Sequence, residues 1–370
     1  MSSPELPIAV VGAGIGGLAA AVALRAEGFP VRVYEQASTK RERGAAIGLR
    51  ASTVRILHDW GLAAEYEPCA FRFDTIRLLA GDTGETHGEI VLADPGGEPG
   101  QNWHESIRRG DLHRLLAARV PEESVRLSAR CEAVLDHGDH VELRFADGSS
   151  ARALAAIGAD GIHSRIRQMT GPDEAVYSGL RSFPGIVPAD RVKDLVPEAR
   201  ALMWERAEAR SFFVMMPVER GRHLGFDAVL PADEPGGETW RDTVSRDDLA
   251  KRLAGFDPVV PELVRRAEET EVIAFSMYDR DPITRWTSNR VTLLGDAAHP
   301  MLPSEGQGAN LAIQDAVALA EHLRGAGPGD IPSALRRYND VRAPIAAEIQ
   351  RRSRELSPFV RLRQPEPETN

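Results

Sequence analysis

The chain has 370 residues, of which 42% are hydrophobic and 27% charged, and its formal net charge is -10 with a pI of about 5.6. This length predicts one large domain or two interlocked domains, and the acidic balance argues against nucleic-acid or membrane-surface partners. Two cysteines, Cys69 and Cys131, are too few for a disulfide framework or a zinc cluster, so we predict no metal site and a reducing, cytoplasmic environment.

The first elements have the pattern of a βαβ unit. The run IAVV (Ile8–Val11) is apolar and rich in β-branched residues, as expected of a parallel strand buried on both faces. It is too short for a signal peptide or a membrane span. Residues 15–27 are rich in Ala and Leu and predict a helix, and residues 31–35 predict a second strand.

The rest of the chain predicts an α/β fold in which a Rossmann-like nucleotide domain is interrupted by a β-rich domain. Helices are predicted at residues 108–120, at about 310–323, and in a last segment that Pro344 should kink or break. Strand-like pieces fill residues 73–100 and 176–276, which we assign to the β-rich substrate domain. Residues 1–72, 101–175 and 277–360 are assigned to the nucleotide domain with its C-terminal helices, and residues 361–370 to a disordered tail.

A glycine motif lies between the first strand and the first helix. Gly12 allows a tight turn, Gly14 lets the backbone approach a pyrophosphate, and Gly17 lets the helix pack closely on the strand. Glu35 ends the second strand and can bind the hydroxyls of an adenosine ribose. Its charge would repel the 2′-phosphate of NADP, so the motif predicts FAD or NAD; a merely close-packed strand–turn–helix is the alternative.

Two further motifs put an aspartate beside a glycine directly after an apolar run. Asp160 lies in GADGIHSRIR, and Asp296 lies in VTLLGDAAHPMLPSEGQGAN. Ligands of open α/β sheets bind at the carboxyl ends of the strands, so both aspartates are candidate site residues.

These three motifs, in this order, resemble those of the FAD-dependent aromatic hydroxylases, the single-component flavoprotein monooxygenases of the para-hydroxybenzoate and salicylate hydroxylase type. The resemblance runs from residue 8 to about 345 and includes RRGDLHRLL, although GAAI stands where many members have GAGI, so that Ala46 replaces a glycine. It implies a para-hydroxybenzoate hydroxylase-like fold that binds FAD. The implied reaction uses NADPH or NADH as a transient donor and inserts one atom of O₂ into a small aromatic or heteroaromatic substrate through a flavin C4a-hydroperoxide. A monomer or homodimer is expected.

The resemblance also implies roles for single residues. Glu35 would bind the adenosine ribose, Arg109 the FAD phosphates and Asp296 the ribityl chain. Asp160 lies in the motif that the family uses for both FAD and NAD(P)H. Arg43 could reach a phosphate or simply face solvent.

The segment after the third motif is implied to lie against the flavin ring. Pro303, Gly306 and Gly308 would be adjacent to the ring, with the backbone groups of Gly308, Ala309 and Asn310 near its pyrimidine edge. The residues independently favour this position, because a helix N-terminus after a glycine turn stabilises the negative charge of a reduced flavin.

Several points stay open at this stage. His299 is interpreted as a structural hydrogen-bonding residue rather than a catalytic one, and Glu305 is expected to face solvent or pair with an arginine. No general base can be named, and His223, Tyr177 and Arg181 are only guesses. The alternative functions are a flavin oxidase or dehydrogenase, a flavin halogenase, and a non-catalytic FAD-binding protein. The halogenase is disfavoured because the W-x-W-x-I-P signature of that family is absent from the sequence.

Overall fold

The computed structural model describes residues 6–39, 46–92, 103–171, 173–236 and 242–355. The strands are β1 (Ile8–Val11), β2 (Val31–Tyr34), β3 (Ala46–Arg50), β4 (Phe71–Phe73), β5 (Thr75–Ala80), β6 (Thr86–Val91), β7 (His104–Arg108), β8 (Val125–Arg126), β9 (Cys131–Asp136), β10 (Val141–Phe145), β11 (Ser150–Ala153), β12 (Ala155–Gly158), β13 (Val176–Pro188), β14 (Ala201–Arg206), β15 (Ser211–Val218), β16 (His223–Pro231), β17 (Thr243–Ser245), β18 (Glu271–Ile273), β19 (Phe275–Asp279) and β20 (Val291–Leu293). The helices are α1 (Ile15–Ala26), α2 (Ala51–Asp59), α3 (Ala63–Tyr66), α4 (Arg109–Ala117), α5 (Arg246–Arg252), α6 (Val259–Arg265), α7 (Gly308–Leu323) and α8 (Ile331–Glu355).

A five-stranded parallel sheet in the order β20-β12-β1-β2-β8 forms the nucleotide-binding half. Every residue of β1 and β12 is buried, as their unbroken apolar sequences predict. One hydrophobic core joins this sheet to α1, α4, α7 and α8 and to the antiparallel sheet β11-β10-β9. The carboxyl ends of β1, β2, β12 and β20 therefore meet at one edge, where the three sequence motifs begin.

A seven-stranded sheet in the order β19-β13-β16-β15-β14-β5-β6 forms the β-rich half. On β15 the side chains alternate: Phe213 and Met215 are buried, whereas Phe212, Val214 and Met216 are half-buried. The buried face packs against α5 and α6. The other face contributes hydrophobic residues to a cluster with Leu302, just before the Pro303 turn. This second face therefore looks toward the edge of the nucleotide-binding half.

A small antiparallel sheet in the order β3-β7-β4 connects the two halves. Its strand β3 approaches β16 so closely that a Cβ placed on Gly225 would lie 2.6 Å from the Cβ of Ala46. The methyl group that distinguishes Ala46 from the usual glycine thus meets a glycine on the neighbouring sheet. The substitution is accommodated because Gly225 leaves space for it.

Of the two expected effects of Pro344, a kink or a break of the last helix, the break does not occur. α8 continues from Ile331 to Glu355 with Pro344 inside it, because the neighbouring Ala343 and Ala346 are buried in the core and their packing outweighs one missing backbone donor. Strand β19 crosses the expected boundary at residues 276/277, and the proposed domain limits stay a prediction. Residues 361–370 lie outside the described part of the chain. No helix within the described part has both the length and the apolar composition needed to cross a bilayer.

Candidate active site

The glycine turn after β1 has the geometry that the motif predicts. Gly12 has a φ of +104°, and a Cβ at this position would overlap the carbonyl oxygen of Ala159. A Cβ on Gly17 would overlap the carbonyl oxygen of Gly12. A Cβ on Gly14, in contrast, would have no described atom within 4 Å. Two glycines are therefore required by packing within the protein, and the third faces open space that a ligand can approach.

Glu35 lies directly over this turn. Its carboxylate accepts hydrogen bonds from the backbone N–H of Ala13 at 2.7 Å and of Ala37 at 2.8 Å. From the opposite side, the buried His113 of α4 is held by its Nε2 at 2.8 Å from the carbonyl oxygen of Ala13. His113 was not predicted, although a histidine among the leucines of RRGDLHRLL was a usable signal. Contacts within the protein thus hold the turn and its acid in place.

Two helices point free N–H groups at this edge. Among the described residues, neither α1 nor α7 has a side-chain cap, and neither carries an acidic residue in its first turn. The first N–H groups of a helix lack intrahelical partners and carry a partial positive charge. Both helix ends are consequently suited to an anion, such as a pyrophosphate or the reduced flavin ring.

Three predicted residues come together beside the start of α7. Asp296 lies in an exposed position of a short 3₁₀ turn, and its Oδ1 lies 3.9 Å from the position a Cβ on Gly308 would take. Burial lowers the pKa of the Arg109 guanidinium, and the nearby Asp296 charge opposes that shift. Arg109, Asp296 and Gly308 therefore share one polar corner, and the residues present here fit the ribityl and phosphate groups of FAD.

The turn from Pro303 to Asn310 is fixed to β3 by one side chain. Gly306 has a φ of +62° and α7 starts at Gly308, with Ala309 in its first turn. The buried amide of Asn310 accepts from the N–H of Arg50 at 2.9 Å and donates to the carbonyls of Gly48 and Gly306 at 3.0 Å. The Asn310 side chain is thus a structural clamp, and its backbone remains available at the helix end.

Asp160 uses both carboxylate oxygens within its own loop. They accept from Ser164 Oγ at 2.5 Å and from the N–H groups of Arg165 and Ile166 at 2.8 and 3.4 Å. Burial raises the pKa of the Asp160 carboxyl, and these hydrogen bonds lower it. In this arrangement the Asp160 carboxylate shapes its own loop.

Arg167 connects the second motif to the third. Its buried guanidinium donates to the carbonyls of Ala297 and Ala298 at 3.1 and 2.6 Å and pairs with Asp173. On the outer side of this loop lies a polar cavity of about 380 Å³, lined by Arg130, His163, Ser164, Arg165, Arg167, Gln168, Gly171, Asp173 and Arg280. Arg43 and the side chain of Glu305 lie outside the described part, so their expected roles stay predictions.

A fully buried charged network lies beneath the third motif. His299 Nε2 is 2.5 Å from Asp315 Oδ2, and Arg342 Nε donates to Asp315 Oδ1 at 2.7 Å. The N–H of Gly295 lies 3.3 Å from the same carboxylate. Burial alone would raise the pKa of Asp315, but His299 and Arg342 together hold it below its usual value. His299 thus makes a buried hydrogen bond of the kind that the sequence interpretation assigned to it, while its partner Asp315 and the neighbouring Arg342 were not predicted.

The three guessed bases are engaged elsewhere. His223 Nδ1 lies 3.0 Å from Glu219. Tyr177 donates to the carbonyl of Ala232 at 3.0 Å, and Arg181 pairs with Asp242 at 3.5 Å.

Known proteins match nearly the whole length of this chain. The model of the FAD binding domain family matches residues 5–353. A 3-amino-4-hydroxybenzoate 2-monooxygenase of Streptomyces platensis is 39% identical over 348 residues, which are 94% of this chain and 87% of the relative. A 6-hydroxynicotinate 3-monooxygenase of Pseudomonas fluorescens is 32% identical over 93% of this chain and 89% of the relative. Among solved structures, HpxO of Klebsiella pneumoniae complexed with FAD and uric acid has a TM-score of 0.83 at 29% identity, covering 95% of this chain and 88% of that one. A salicylate hydroxylase substrate complex has a TM-score of 0.79 at 26% identity, covering 99% and 91%.

Proposed function

Because the chain belongs to the FAD-binding family of aromatic monooxygenases, we propose that its substrates are small aromatic rings bearing a hydroxyl or amino group. The observation that carries the proposal is the meeting of all three motifs at one sheet edge, opposite the half-buried face of the seven-stranded sheet. The names of two relatives describe rings of this kind, 3-amino-4-hydroxybenzoate and 6-hydroxynicotinate. Electron-donating groups make such rings reactive toward an electrophilic oxygen.

Bound FAD supplies the redox chemistry, since it accepts electrons from NAD(P)H and activates O₂. The chain's own residues hold the dinucleotide in our proposal. Glu35 binds the ribose, the α1 N-terminus binds the pyrophosphate, and Arg109 with Asp296 binds the phosphate and ribityl region. The α7 N-terminus stabilises negative charge on the reduced ring.

The face of the seven-stranded sheet covers the substrate in this proposal. Half-buried apolar side chains on β15, together with the cluster around Leu302, exclude water from the reacting ring. The polar cavity beside Arg165 offers positive charge to the phosphates of NAD(P)H while the donor visits. Preference between NADH and NADPH is decided by experiment.

A direct test measures both half-reactions of the purified protein loaded with FAD. Anaerobic flavin reduction by NADH and by NADPH is followed with and without a panel of phenols, aminophenols and hydroxypyridines. We expect a ring ligand to accelerate reduction, and aerobic turnover to add one oxygen to that ligand. A product that has only lost two hydrogens would support the oxidase alternative. If none of the ring compounds leads to consumption of NAD(P)H, a non-catalytic role would be supported.

A further inference from the structure

We propose that Asp227, in the middle of β16, binds the hydroxyl or amino group of the aromatic substrate and removes the proton of a ring hydroxyl. The inference rests on the proposed function, and it adds a residue that receives a defined substituent of the ring. Neither the glycine motif nor the two later motifs contain this residue.

The position of Asp227 follows from the alternation of β16. Two residues earlier, Gly225 touches Ala46 of β3, and two residues later, Val229 packs in the cluster that contains Leu302. Side chains two apart in a strand point to the same face. Asp227 therefore projects between β3 and the Pro303 turn, on the face that looks toward the nucleotide-binding edge.

In the described part of the chain, the side chains directly opposite this carboxylate are apolar, and no charged group contributes to its pKa shift. Directly opposite it on the neighbouring strands are Pro184 of β13 and Val214 of β15. Ser182 Oγ lies 2.7 and 2.8 Å from its two oxygens, and the N–H of Phe183 donates at 3.1 Å. Among the described residues these are its hydrogen-bond donors, and neither of the two side chains directly opposite it, Pro184 and Val214, carries a titratable group. Burial accordingly raises the pKa of Asp227 to about 7, against the opposing effect of Ser182 and Phe183.

Asp227 is half-buried rather than sealed in the core. Its neighbours on the same face of β15, including Phe212, Val214 and Met216, are half-buried as well, whereas the alternate residues are fully buried. In the proposal, this partly exposed position forms the recess that the substrate enters. Ser182 and Phe183 fix its orientation and leave lone pairs for an incoming donor.

A purely structural role explains this residue poorly. Aspartate is depleted in strands, and burying an unpaired carboxylate is unfavourable. Asparagine would accept the same two hydrogen bonds without that cost. Groups with pKa values shifted by burial in a recess are typical of functional sites, where the shift brings a base close to working pH.

The first step of the proposal is proton transfer from the ring hydroxyl to Asp227. The O–H bond of the ring hydroxyl breaks, the proton goes to the Asp227 carboxylate, and the electron pair stays on the ring oxygen. The electron-rich ring then forms a C–O bond, at a carbon ortho or para to that substituent, with the hydroxyl equivalent that FAD, NAD(P)H and O₂ supply in the proposed function, and the second oxygen atom leaves as water. Loss of hydrogen from this carbon and protonation of the ring oxygen restore aromaticity, and Asp227 releases its proton to solvent before the next turnover.

The test compares wild type with Asp227→Asn, using Asp233→Asn, an exposed acid just after the same strand, as the matched control. Holoenzyme is titrated with 3-hydroxybenzoate and with 3-methoxybenzoate, following the flavin absorbance change. We expect wild type and the control to bind the hydroxy probe at least about tenfold more tightly than the methoxy probe, and D227N to lose that difference. Equal affinities for the two probes in wild type, or an unchanged difference in D227N, would overturn the inference.

Turnover gives a second readout that a structural role would not move. We expect kcat/KM of D227N to fall by about 10²–10⁴-fold for the hydroxy probe. For a ring-fluorinated 3-hydroxybenzoate, whose hydroxyl is more acidic, the fall of kcat/KM caused by D227N should be smaller. The wild-type rise of kcat/KM with pH near 7 should also be absent in D227N. Equal losses for both rings with an unchanged pH profile would contradict the base role. Absence of any oxygenated product from wild type would instead refute the proposed function, and the binding comparison would still decide the role of Asp227.

Discussion

Replacement of Asp315 by asparagine perturbs the buried network under the third motif. Asp315 and His299 are fully buried, and Arg342 is 8% exposed. In D315N the Arg342 guanidinium keeps its burial and loses its counter-charge. Breaking a buried ion pair by removing one partner costs about 3–5 kcal/mol, because the remaining charge is left uncompensated.

The expected shift in melting temperature follows from the size of the chain. An unfolding entropy of about 2.1 cal/mol/K per residue gives about 0.8 kcal/mol/K for 370 residues. A loss of 3–5 kcal/mol therefore lowers Tm by about 4–6 °C. The N–H of Gly295 also loses a charged acceptor 3.3 Å away, so the Asp296 turn should loosen and FAD should bind more weakly.

Calorimetry of D315N measures the fall in Tm, and FAD titration measures the weaker binding. Asp340→Asn, at an exposed position of α8, is the control. The double variant D315L/R342M should recover part of the stability, since no buried guanidinium then lacks its counter-charge. The folded-state pKa of Asp315 is lowered, so its stabilisation is present above pH 4 and is lost as pH falls through the folded pKa. The reasoning is refuted if D315N stays within about 1 kcal/mol of wild type at pH 7, or if the double variant is less stable than D315N.

Three further substitutions test the dinucleotide site and the recess. Gly17→Ala should abolish FAD retention, because its Cβ would overlap the Gly12 carbonyl; an FAD titration equal to wild type would contradict this packing. Glu35→Gln should weaken FAD binding about tenfold through loss of a charged acceptor, and unchanged affinity would remove Glu35 from the site. Asp227→Asn should be more stable than wild type at pH 8 and equal to it at pH 4, because the folded-state pKa of about 7 makes charging unfavourable between those values. Chemical denaturation at the two pH values measures this difference, and equal stability at pH 8 would show that Asp227 is not desolvated.

The parts of the fold that the sequence predicted are those specified by neighbouring residues. IAVV and the glycines at positions 12, 14 and 17 specify strand, turn and helix within about ten residues, and the structure has these elements. The acid at position 35 ends the next strand, within hydrogen-bonding reach of the turn. Local periodicity and turn chemistry suffice for such a unit.

The parts that sequence reasoning missed depend on contacts between distant segments. His113 reaches Ala13 across 100 positions, and Arg342 reaches Asp315 across 27. A local pattern can mark one residue, as with His113 among the leucines of its helix, but it cannot identify the partner, because the partner lies in a distant segment. Asp227 had a visible signal, an acid inside the apolar strand HLGFDAVLP, but its neighbours became known only from the strand register.

The central claim is that this chain inserts one atom of O₂ into an aromatic ring, and isotope incorporation tests it most directly. FAD-loaded protein is incubated with NADH or NADPH, ¹⁸O₂ and the ring that most accelerates flavin reduction, and the product is analysed by mass spectrometry. The account predicts a product containing one ¹⁸O atom in place of a ring hydrogen. An oxidised product without ¹⁸O, formed while NAD(P)H is consumed, would contradict it.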